Sequence, residues 1–316
     1  MNILEIKNLG LSFKSGDKKY KALYGVNLNL EKGTTLAIVG ESGCGKIVTA
    51  MSVLNLLAPN AEITSGEILY KGKDLLRLSD KEMQKIRGKE IALVPQDPMS
   101  SLNPLYTIGN QITEVIEQHQ NIKGKEAEKI AVEVLDKVRI PNAKERLKSY
   151  PHEFSGGMRQ RVIIATALAC NSEIIIADEP TTALDVTVQA QIINLLKEIQ
   201  KESGTSIIFI SHDFALVSET ADNIAVMYAG HVVENSSAKD LFDNPKHPYT
   251  TALIKTLPDF NSQKLVPVPG QPPSIKDEYK GCAFARRCSN KLPECDNCSP
   301  ELYITGNSKT ACFLYK

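Results

Sequence analysis

The feature that most constrains this chain is a short apolar run that leads into a glycine-rich loop. Residues 34–40 read TTLAIVG, and the loop continues as ESGCGK up to Lys46. A run this short and apolar, ending in glycine, predicts a fully buried strand of a parallel sheet. The G-x-x-x-x-G-K spacing lets backbone N–H groups and the next helix N-terminus approach phosphate oxygens, while the lysine reaches the outer phosphates. The sequence therefore predicts a strand–loop–helix unit that binds phosphate groups.

One position of this loop departs from the usual pattern. Ile47 follows Lys46, where a serine or threonine hydroxyl would reach the magnesium ion of a bound nucleotide. Thr49 is not expected to replace it, because positions i and i+2 lie on different faces of a helix. We therefore expect nucleotide binding to survive and Mg²⁺-dependent hydrolysis at this site to be impaired. The predicted nucleotide-contacting residues are Gly40, Glu41, Ser42, Gly43, Cys44, Gly45, Lys46, Ile47 and Val48. Cys44 is expected to present its backbone to the nucleotide, not its sulfur.

The rest of the chain has the pattern of an α/β fold. Apolar and polar residues alternate over the first 35 positions, which predicts half-buried antiparallel strands. Later apolar runs (EIALVPQ, SEIIIADEP, TSIIFISH and NIAVMYAG) alternate with helical patterns, which predicts a mostly parallel core sheet. Residues 97–165 lack such runs and are expected to form an inserted helical subdomain. We therefore expect a nucleotide-binding domain over residues 1–257, followed by a proline-rich linker and a cysteine-rich region over residues 258–316.

Composition and charge give no support for a nucleic-acid-binding, membrane-spanning or secreted protein. Lys plus Arg and Asp plus Glu number 37 each, so net charge gives no indication of nucleic acid as a partner. No apolar run approaches the roughly 20 residues that span a bilayer. The N-terminal sequence is too polar and too alternating for a secretory signal. These features predict a cytoplasmic protein that reaches a membrane only through a partner.

Acidic and histidine side chains follow two of the predicted buried strands. Asp178 ends one strand and is placed to hold Mg²⁺, while the adjacent Glu179 can orient or deprotonate an attacking water. Such carboxylates can also be simple solvated strand caps. His212 ends another strand, and ligands of open α/β sheets bind at these carboxyl ends. FSGGMRQR, residues 154–161, supplies a second glycine-containing helix start for anionic oxygens.

Taken in order, these motifs resemble the nucleotide-binding subunit of an ABC transporter over about residues 1–257. The order is the phosphate loop, Gln96, SGGMRQ, ADEP, TALD and His212. The resemblance implies that Gln96 senses Mg²⁺ and the membrane subunit, that Asp178 supports Mg²⁺, and that Glu179 is the general base. It implies that Asp185 lies at the dimer seam and that His212 contacts the γ-phosphate of ATP. Three residues are implied to contact ATP bound to the opposite subunit: Ser155, Gly156 and Gly157. Phe13 matches the position that stacks on adenine better than Tyr20 does.

Further stretches resemble the oligopeptide/dipeptide permease branch of this family, which also includes nickel importers. They are SYPHEFSGGMRQRV, QDPMSSLNPLYTIGNQI, NPKHPYTTALIKTLP and VPGQPPSI. The resemblance implies a head-to-tail dimer with a second ABC ATPase (or with a second copy), two transmembrane permease subunits and an extracytoplasmic binding protein. Nickel import and a catalytically degenerate subunit remain alternatives. A soluble ABC ATPase of DNA repair or translation fits less well, because the chain has neither a second nucleotide domain nor a long coiled coil.

Five of the seven cysteines lie in the last 35 residues. In a reducing compartment such a cluster suggests metal binding in preference to disulfides. The resemblance implies an iron–sulfur cluster, [4Fe–4S], held by Cys282, Cys288, Cys295 and Cys312. Thiolates also bind Zn²⁺, and Cys298 can replace a neighbouring ligand. A segment that binds no metal is the third alternative.

Overall fold

The computed structural model describes residues 1–182, 184–257, 268–277 and 279–316. The strands are β1 (Asn2–Ser15), β2 (Lys18–Glu31), β3 (Thr35–Val39), β4 (Ala61–Tyr70), β5 (Lys73–Asp74), β6 (Ile91–Val94), β7 (Ile174–Asp178), β8 (Ser206–Ser211), β9 (Asn223–Tyr228), β10 (His231–Ser237), β11 (Tyr303–Thr305) and β12 (Ser308–Thr310). The helices are α1 (Lys46–Val53), α2 (Asp80–Ile86), α3 (Pro98–Ser101), α4 (Ile108–Gln120), α5 (Lys125–Lys137), α6 (Ala143–Arg146), α7 (Gly156–Leu168), α8 (Val186–Ser203), α9 (Phe214–Thr220), α10 (Ala238–Asp243) and α11 (Pro248–Ile254). Among the described residues, none of these helices has the length and apolar character that a membrane span requires.

The chain divides into two compact units. The first contains Met1–Glu31, Thr35–Arg77 and Phe209–Lys316, and the second contains Lys32–Thr34 and Leu78–Ile208. The cysteine-rich C-terminal segment thus belongs to the same unit as the phosphate loop. The predicted domain boundary between residues 257 and 258 rests on the run of prolines that begins at Pro258. It stays a prediction.

The first unit contains an antiparallel sheet with strand order β2-β1-β4-β5. Its first two strands are the alternating segments, and Leu4, Ile6 and Leu9 of β1 are buried. The antiparallel arrangement predicted for the N-terminal region is confirmed, and Phe13 lies directly opposite Tyr20 across the β1–β2 ladder.

The same unit contains a run of hydrogen-bonded strands in the order β11-β12-β10-β9-β3. Every residue of β3 is buried, and β3 pairs with β9 in parallel, as the apolar run TTLAIVG predicts. The strands beyond β9 pair in antiparallel fashion. The sheet is therefore mixed where the sequence predicted it to be mostly parallel, because a short β9–β10 connection at Ala229 and Gly230 reverses the chain.

The second unit contains β6 and β7, which pair in parallel, and the helical segment. Between residues 97 and 165, all of which are described, the chain forms helices α3 to α6, the first part of α7 and no strand. The inserted helical subdomain stays a prediction. The helix predicted from VTVQAQIINLLKEIQKES is α8, with Ile192, Leu196 and Ile199 on its buried face. It begins after Asp185, whose carboxylate caps it, and ends at Gly204, whose φ is 66°.

The predicted linker is described only in part. Pro258 and Pro267 lie outside the described residues, while Pro269, Pro272 and Pro273 lie outside any helix or strand. This absence of regular structure over the described prolines agrees with an extended connection.

Candidate active site

The phosphate loop of the first unit connects β3 to α1. Two of its glycines are required by their surroundings. Gly40 has φ of 150°, and a Cβ there would lie 2.2 Å from the Met227 carbonyl oxygen. Gly45 has φ of 107°, and a Cβ there would lie 2.7 Å from Leu23 Cδ2. The loop therefore packs tightly against the Met227 backbone and the Leu23 side chain, and its conformation depends on residues without side chains.

The lysine of the loop is turned towards the loop's own backbone. Lys46 is 4% exposed, and its Nζ donates to the carbonyl oxygens of Gly40 at 2.7 Å and Glu41 at 3.0 Å. Cys44 is also buried, and burial raises the pKa of its thiol. A buried, protonated thiol is a poor nucleophile, which agrees with a packing role for this sulfur.

The residues that follow Lys46 point in different directions. The Ile47 side chain is 42% exposed. Thr49 is fully buried, and its hydroxyl donates to the Gly45 carbonyl oxygen at 2.9 Å. The Thr49 hydroxyl is thus directed into the protein and is already bonded, as expected from its position on the helix. The Thr49 hydroxyl therefore does not take the place of the one that Ile47 lacks.

Two contacts of Glu41 were not foreseen from the sequence. Its carboxylate forms an ion pair with Arg287, 246 positions away, and its backbone N–H donates to the Tyr249 hydroxyl at 3.1 Å. No sequence spacing connects residues so far apart. The only available signal was the position of Arg287 immediately before Cys288.

The second unit holds the predicted acidic residues at the end of β7. Asp178 is 6% exposed. Glu179 follows it with φ of 42°, a backbone conformation that residues other than glycine rarely adopt. The Glu179 carboxylate accepts hydrogen bonds from Gln96 Nε2 and from the Thr182 hydroxyl, both at 3.0 Å. The structure therefore brings Gln96 and Glu179 together, although they are far apart in sequence. Two donors orient the carboxylate at a strained turn, an arrangement that suits a positioned base.

The predicted signature residues stand at the start of α7 in the second unit. The exposed Ser155 is the N-cap of this helix, and its hydroxyl accepts the Met158 N–H at 3.3 Å. A Cβ at Gly157 would lie 2.6 Å from Val188 Cγ1, so this glycine is needed for the contact with α8. Gly156 and Gly157 leave the helix N-terminus accessible, which suits an anionic ligand.

Two predicted residues remain, Asp185 of the second unit and His212 of the first. Asp185 is exposed at the N-terminus of α8, and its carboxylate accepts the Val188 N–H at 3.0 Å. His212 is exposed in the first unit, directly after β8. Their predicted roles require a bound nucleotide or a second subunit and stay predictions.

Four cysteines of the first unit line one cavity of about 10 Å³: Cys282, Cys288, Cys295 and Cys312. Burial, together with the neighbouring cysteine thiols, raises the pKa of the Cys282 thiol to about 11. Gly281 makes this arrangement possible, since a Cβ there would lie 2.0 Å from the Cys295 carbonyl oxygen. Cys298 is exposed and does not line the cavity.

Across the part of the chain that the structure describes, no group of three or more histidine, cysteine, aspartate or glutamate side chains is arranged to hold a metal ion. The structure therefore gathers the four predicted cysteines around a shared cavity without forming a metal site. The metal stays a proposal.

Comparison with known proteins shows the family. The family profile described as ABC transporter matches residues 23–182. The chain belongs to the ABC transporter family. A second profile, described as the C-terminal region of oligopeptide/dipeptide transporters, matches residues 233–295. This ABC ATPase therefore has its phosphate loop and acidic residues within the first match, and Arg287 within the second.

Individual relatives agree with this assignment. The ABC ATPase is 49% identical to the dipeptide transport ATP-binding protein DppD of Bacillus subtilis (strain 168), over 99% of this chain and 94% of that protein. It is 52% identical to the oligopeptide transport ATP-binding protein OppD of the same organism, over 91% of this chain and 81% of that protein. Among solved structures, it is similar to the dimeric post-hydrolysis state of the ATP-binding cassette MJ0796 bound to ADP and Pi. That similarity has a TM-score of 0.67 at 31% identity and covers 74% of this chain and 98% of the other.

Proposed function

We propose that this ABC ATPase hydrolyses ATP to drive the import of dipeptides or oligopeptides. The observation that carries the proposal is the match of its C-terminal region to oligopeptide/dipeptide transporters, together with relatives named for dipeptide and oligopeptide transport. In the proposed assembly the chain pairs head to tail with a second ABC ATPase or a second copy. The pair lies at the cytoplasmic face of a membrane, under two permease subunits that an extracytoplasmic binding protein supplies with substrate.

The phosphate loop is the proposed ATP-binding element of the chain. Backbone N–H groups of residues 40–48 and the Lys46 ammonium bind the phosphates, and Phe13 stacks on adenine, with Tyr20 opposite it as the alternative. Ser155, Gly156 and Gly157 complete the site of the partner subunit, and Asp185 lies at the seam. His212 contacts the γ-phosphate.

Hydrolysis is proposed to depend on Glu179. Its carboxylate accepts a proton from the attacking water, and the hydrogen bonds from Gln96 and Thr182 hold it in position. The donor chemistry of Asp178 and Gln96 fits Mg²⁺, which prefers oxygen ligands. When bound, this ion would neutralise phosphate charge.

Uptake by the assembled transporter tests the proposed substrate. Liposomes that contain both ATPase and both permease subunits should accumulate a radiolabelled dipeptide when ATP and the binding protein are supplied. Lys46→Ala should abolish this uptake, while Lys129→Ala, on the exposed face of α5, should leave it unchanged. Accumulation of Ni²⁺ in place of the dipeptide would contradict peptide import and favour the nickel alternative.

We further propose that the four cavity-lining cysteines hold a [4Fe–4S] cluster, with Zn²⁺ as the alternative. Four thiols that share one buried, largely apolar cavity form a donor set suited to a thiolate-ligated metal.

Metal analysis of anaerobically purified protein tests the cluster. We expect brown protein with about four irons per chain, as for a [4Fe–4S] cluster held by cysteine thiolates. Cys295→Ser should lose the iron because Cys295 lines the cavity, whereas Cys298→Ser should retain it because Cys298 does not. One zinc per chain in colourless protein would favour the zinc site, and equal loss in both variants would contradict the assignment of ligands.

A further inference from the structure

The cysteine-rich segment makes a direct ionic contact with the phosphate loop. Arg287 Nη1 donates to Glu41 Oε2 at 2.7 Å, and Arg287 Nη2 donates to Glu41 Oε1 at 2.9 Å. The ion pair is bidentate: two N–H groups of the guanidinium donate to the two oxygens of one carboxylate. The side chain of Arg287 is 5% exposed and that of Glu41 is 26% exposed. The pair is thus largely shielded from water. In such a buried position, a charge without a partner would be costly.

The guanidinium of Arg287 is fixed by further contacts. Its Nε donates to the Pro269 carbonyl oxygen at 2.7 Å, and its Nη1 also donates to the Tyr228 hydroxyl at 3.2 Å. The group lies 5.6 Å from the centre of the Tyr228 ring and 5.9 Å from that of the Phe284 ring. Because its donors are taken up by these partners, Arg287 is held against Glu41 and is not available to bind phosphate itself.

Glu41 is held at its backbone as well as at its carboxylate. Its N–H donates to the hydroxyl of Tyr249, a fully buried residue of α11. Its carbonyl oxygen accepts from Lys46 Nζ. Two residues from the C-terminal part of the chain, Tyr249 and Arg287, therefore hold Glu41 in place. Glu41 lies at the start of the loop whose N–H groups face the phosphates in the proposed ATP complex.

The charge of Glu41 gives this contact a consequence for nucleotide binding. A carboxylate in a loop that receives the phosphates of ATP repels them, unless a nearby cation compensates for it. Arg287 supplies that compensation.

We propose that Arg287 is a positioning residue for nucleotide binding, which holds and neutralises Glu41 so that the cysteine-rich segment supports the phosphate loop. This inference rests on the ATP-binding role proposed for the loop. Arg287 ends a short 3₁₀ turn, Ala285–Arg287, and directly precedes Cys288. The fold of the cysteine-rich segment therefore sets the position of the guanidinium. Since coupling between two sites is reciprocal, bound nucleotide should in turn stabilise this segment.

Nucleotide affinity of the full-length chain tests the proposal. Binding of a fluorescent ATP analogue is measured well below the melting temperature, which is recorded for every variant. Arg287→Gln should weaken binding about tenfold, within the usual range of coupling between sites. Arg287→Lys should recover part of the loss, because lysine restores the charge without the fork. Arg286→Gln is the matched control, because Arg286 is adjacent and exposed, and it should bind normally.

A double variant separates positioning from simple structural support. In Glu41→Gln/Arg287→Gln the uncompensated carboxylate is absent, so binding should be several-fold tighter than in Arg287→Gln alone. Wild-type affinity in Arg287→Gln, or equal affinity in the single and double variants, would overturn the proposal. Failure of the wild-type chain to bind the analogue would instead contradict the ATP-binding role of the loop.

Hydrogen–deuterium exchange of the wild-type chain tests the reciprocal effect without any substitution. Addition of ADP should slow exchange in residues 279–290, with slower exchange in residues 40–46 as the sign that ADP is bound. Slower exchange in the loop without any change in residues 279–290 would overturn the proposed coupling.

Discussion

Replacing Glu179 with glutamine is expected to lower ATP hydrolysis at this chain's own site about 10²- to 10⁴-fold, the usual contribution of a general base. Glutamine has the size of glutamate, and its amide oxygen can still accept the hydrogen bonds that Gln96 and Thr182 donate. It cannot accept a proton from water at neutral pH. Phosphate release under saturating ATP, from an assembly in which the partner subunit's own site has been inactivated, measures the effect. Nucleotide affinity should stay close to that of the wild type.

The matched control for this variant is Glu202→Gln, which removes an exposed carboxylate from the C-terminal turn of α8. It should hydrolyse ATP at the wild-type rate. Because Glu179→Gln blocks hydrolysis but not binding, its ATP-bound dimer should accumulate and be detectable by size-exclusion chromatography. A normal rate of phosphate release from Glu179→Gln would show that another group acts as the base.

Replacing Ile47 with serine is expected to raise Mg²⁺-dependent hydrolysis at this chain's own site by roughly 10²-fold, the effect of one well-placed transition-state stabiliser. The added hydroxyl offers Mg²⁺ an oxygen ligand that isoleucine lacks. Ile47 is 42% exposed, so the substitution leaves no large internal cavity. Thr49 cannot mask the effect, since its hydroxyl is buried and bonded to Gly45. Hydrolysis and Mg²⁺ affinity in the presence of ATP should both increase.

Ile47→Val is the control for side-chain size, because it shortens the side chain without adding a hydroxyl, and it should give no gain. When the partner is a different ABC ATPase, only one of the two composite sites should respond, because Ser155 of this chain serves the site of the partner subunit. That assembly is expected to be asymmetric, with one slow and one fast site, whereas in a pair of identical copies both sites contain Ile47 and both should respond. Unchanged hydrolysis and Mg²⁺ affinity in Ile47→Ser would mean that water already fills the position of the hydroxyl.

Local patterns determined a large part of the fold. The apolar run before the phosphate loop predicted β3, the alternation at the N-terminus predicted β1 and β2, and the spacing of apolar residues predicted α8. Each of these signals lies within one segment, because burial of a strand or helix face fixes the period of its own side chains. The residues of the proposed nucleotide site could also be predicted from the sequence, since each motif occupies a short stretch of the chain.

The pairing of strands from distant parts of the chain was harder to predict from the sequence. β10, β11 and β12 form an antiparallel continuation of the sheet. Two of these strands are only three residues long, too short for a clear period. Their place in the sheet depends on partners elsewhere in the chain, which a local pattern does not contain.

The cysteines show the same division between sequence and structure. Their spacing predicted a cluster but allowed either Cys295 or Cys298 as a member. The structure buries Cys295 in the shared cavity and leaves Cys298 exposed. Burial decided between them, and burial depends on how the loops pack.

Short stretches of the chain were enough to predict a phosphate loop, acidic strand ends and a signature helix. The pairing of Arg287 with Glu41 and the hydrogen bond from Gln96 to Glu179 were visible only in the folded chain. The physical reason is the range of the interactions. A strand or a helix cap is set by residues within a few positions, whereas an ion pair forms wherever folding brings two charges within about 4 Å, however far apart they lie in the chain.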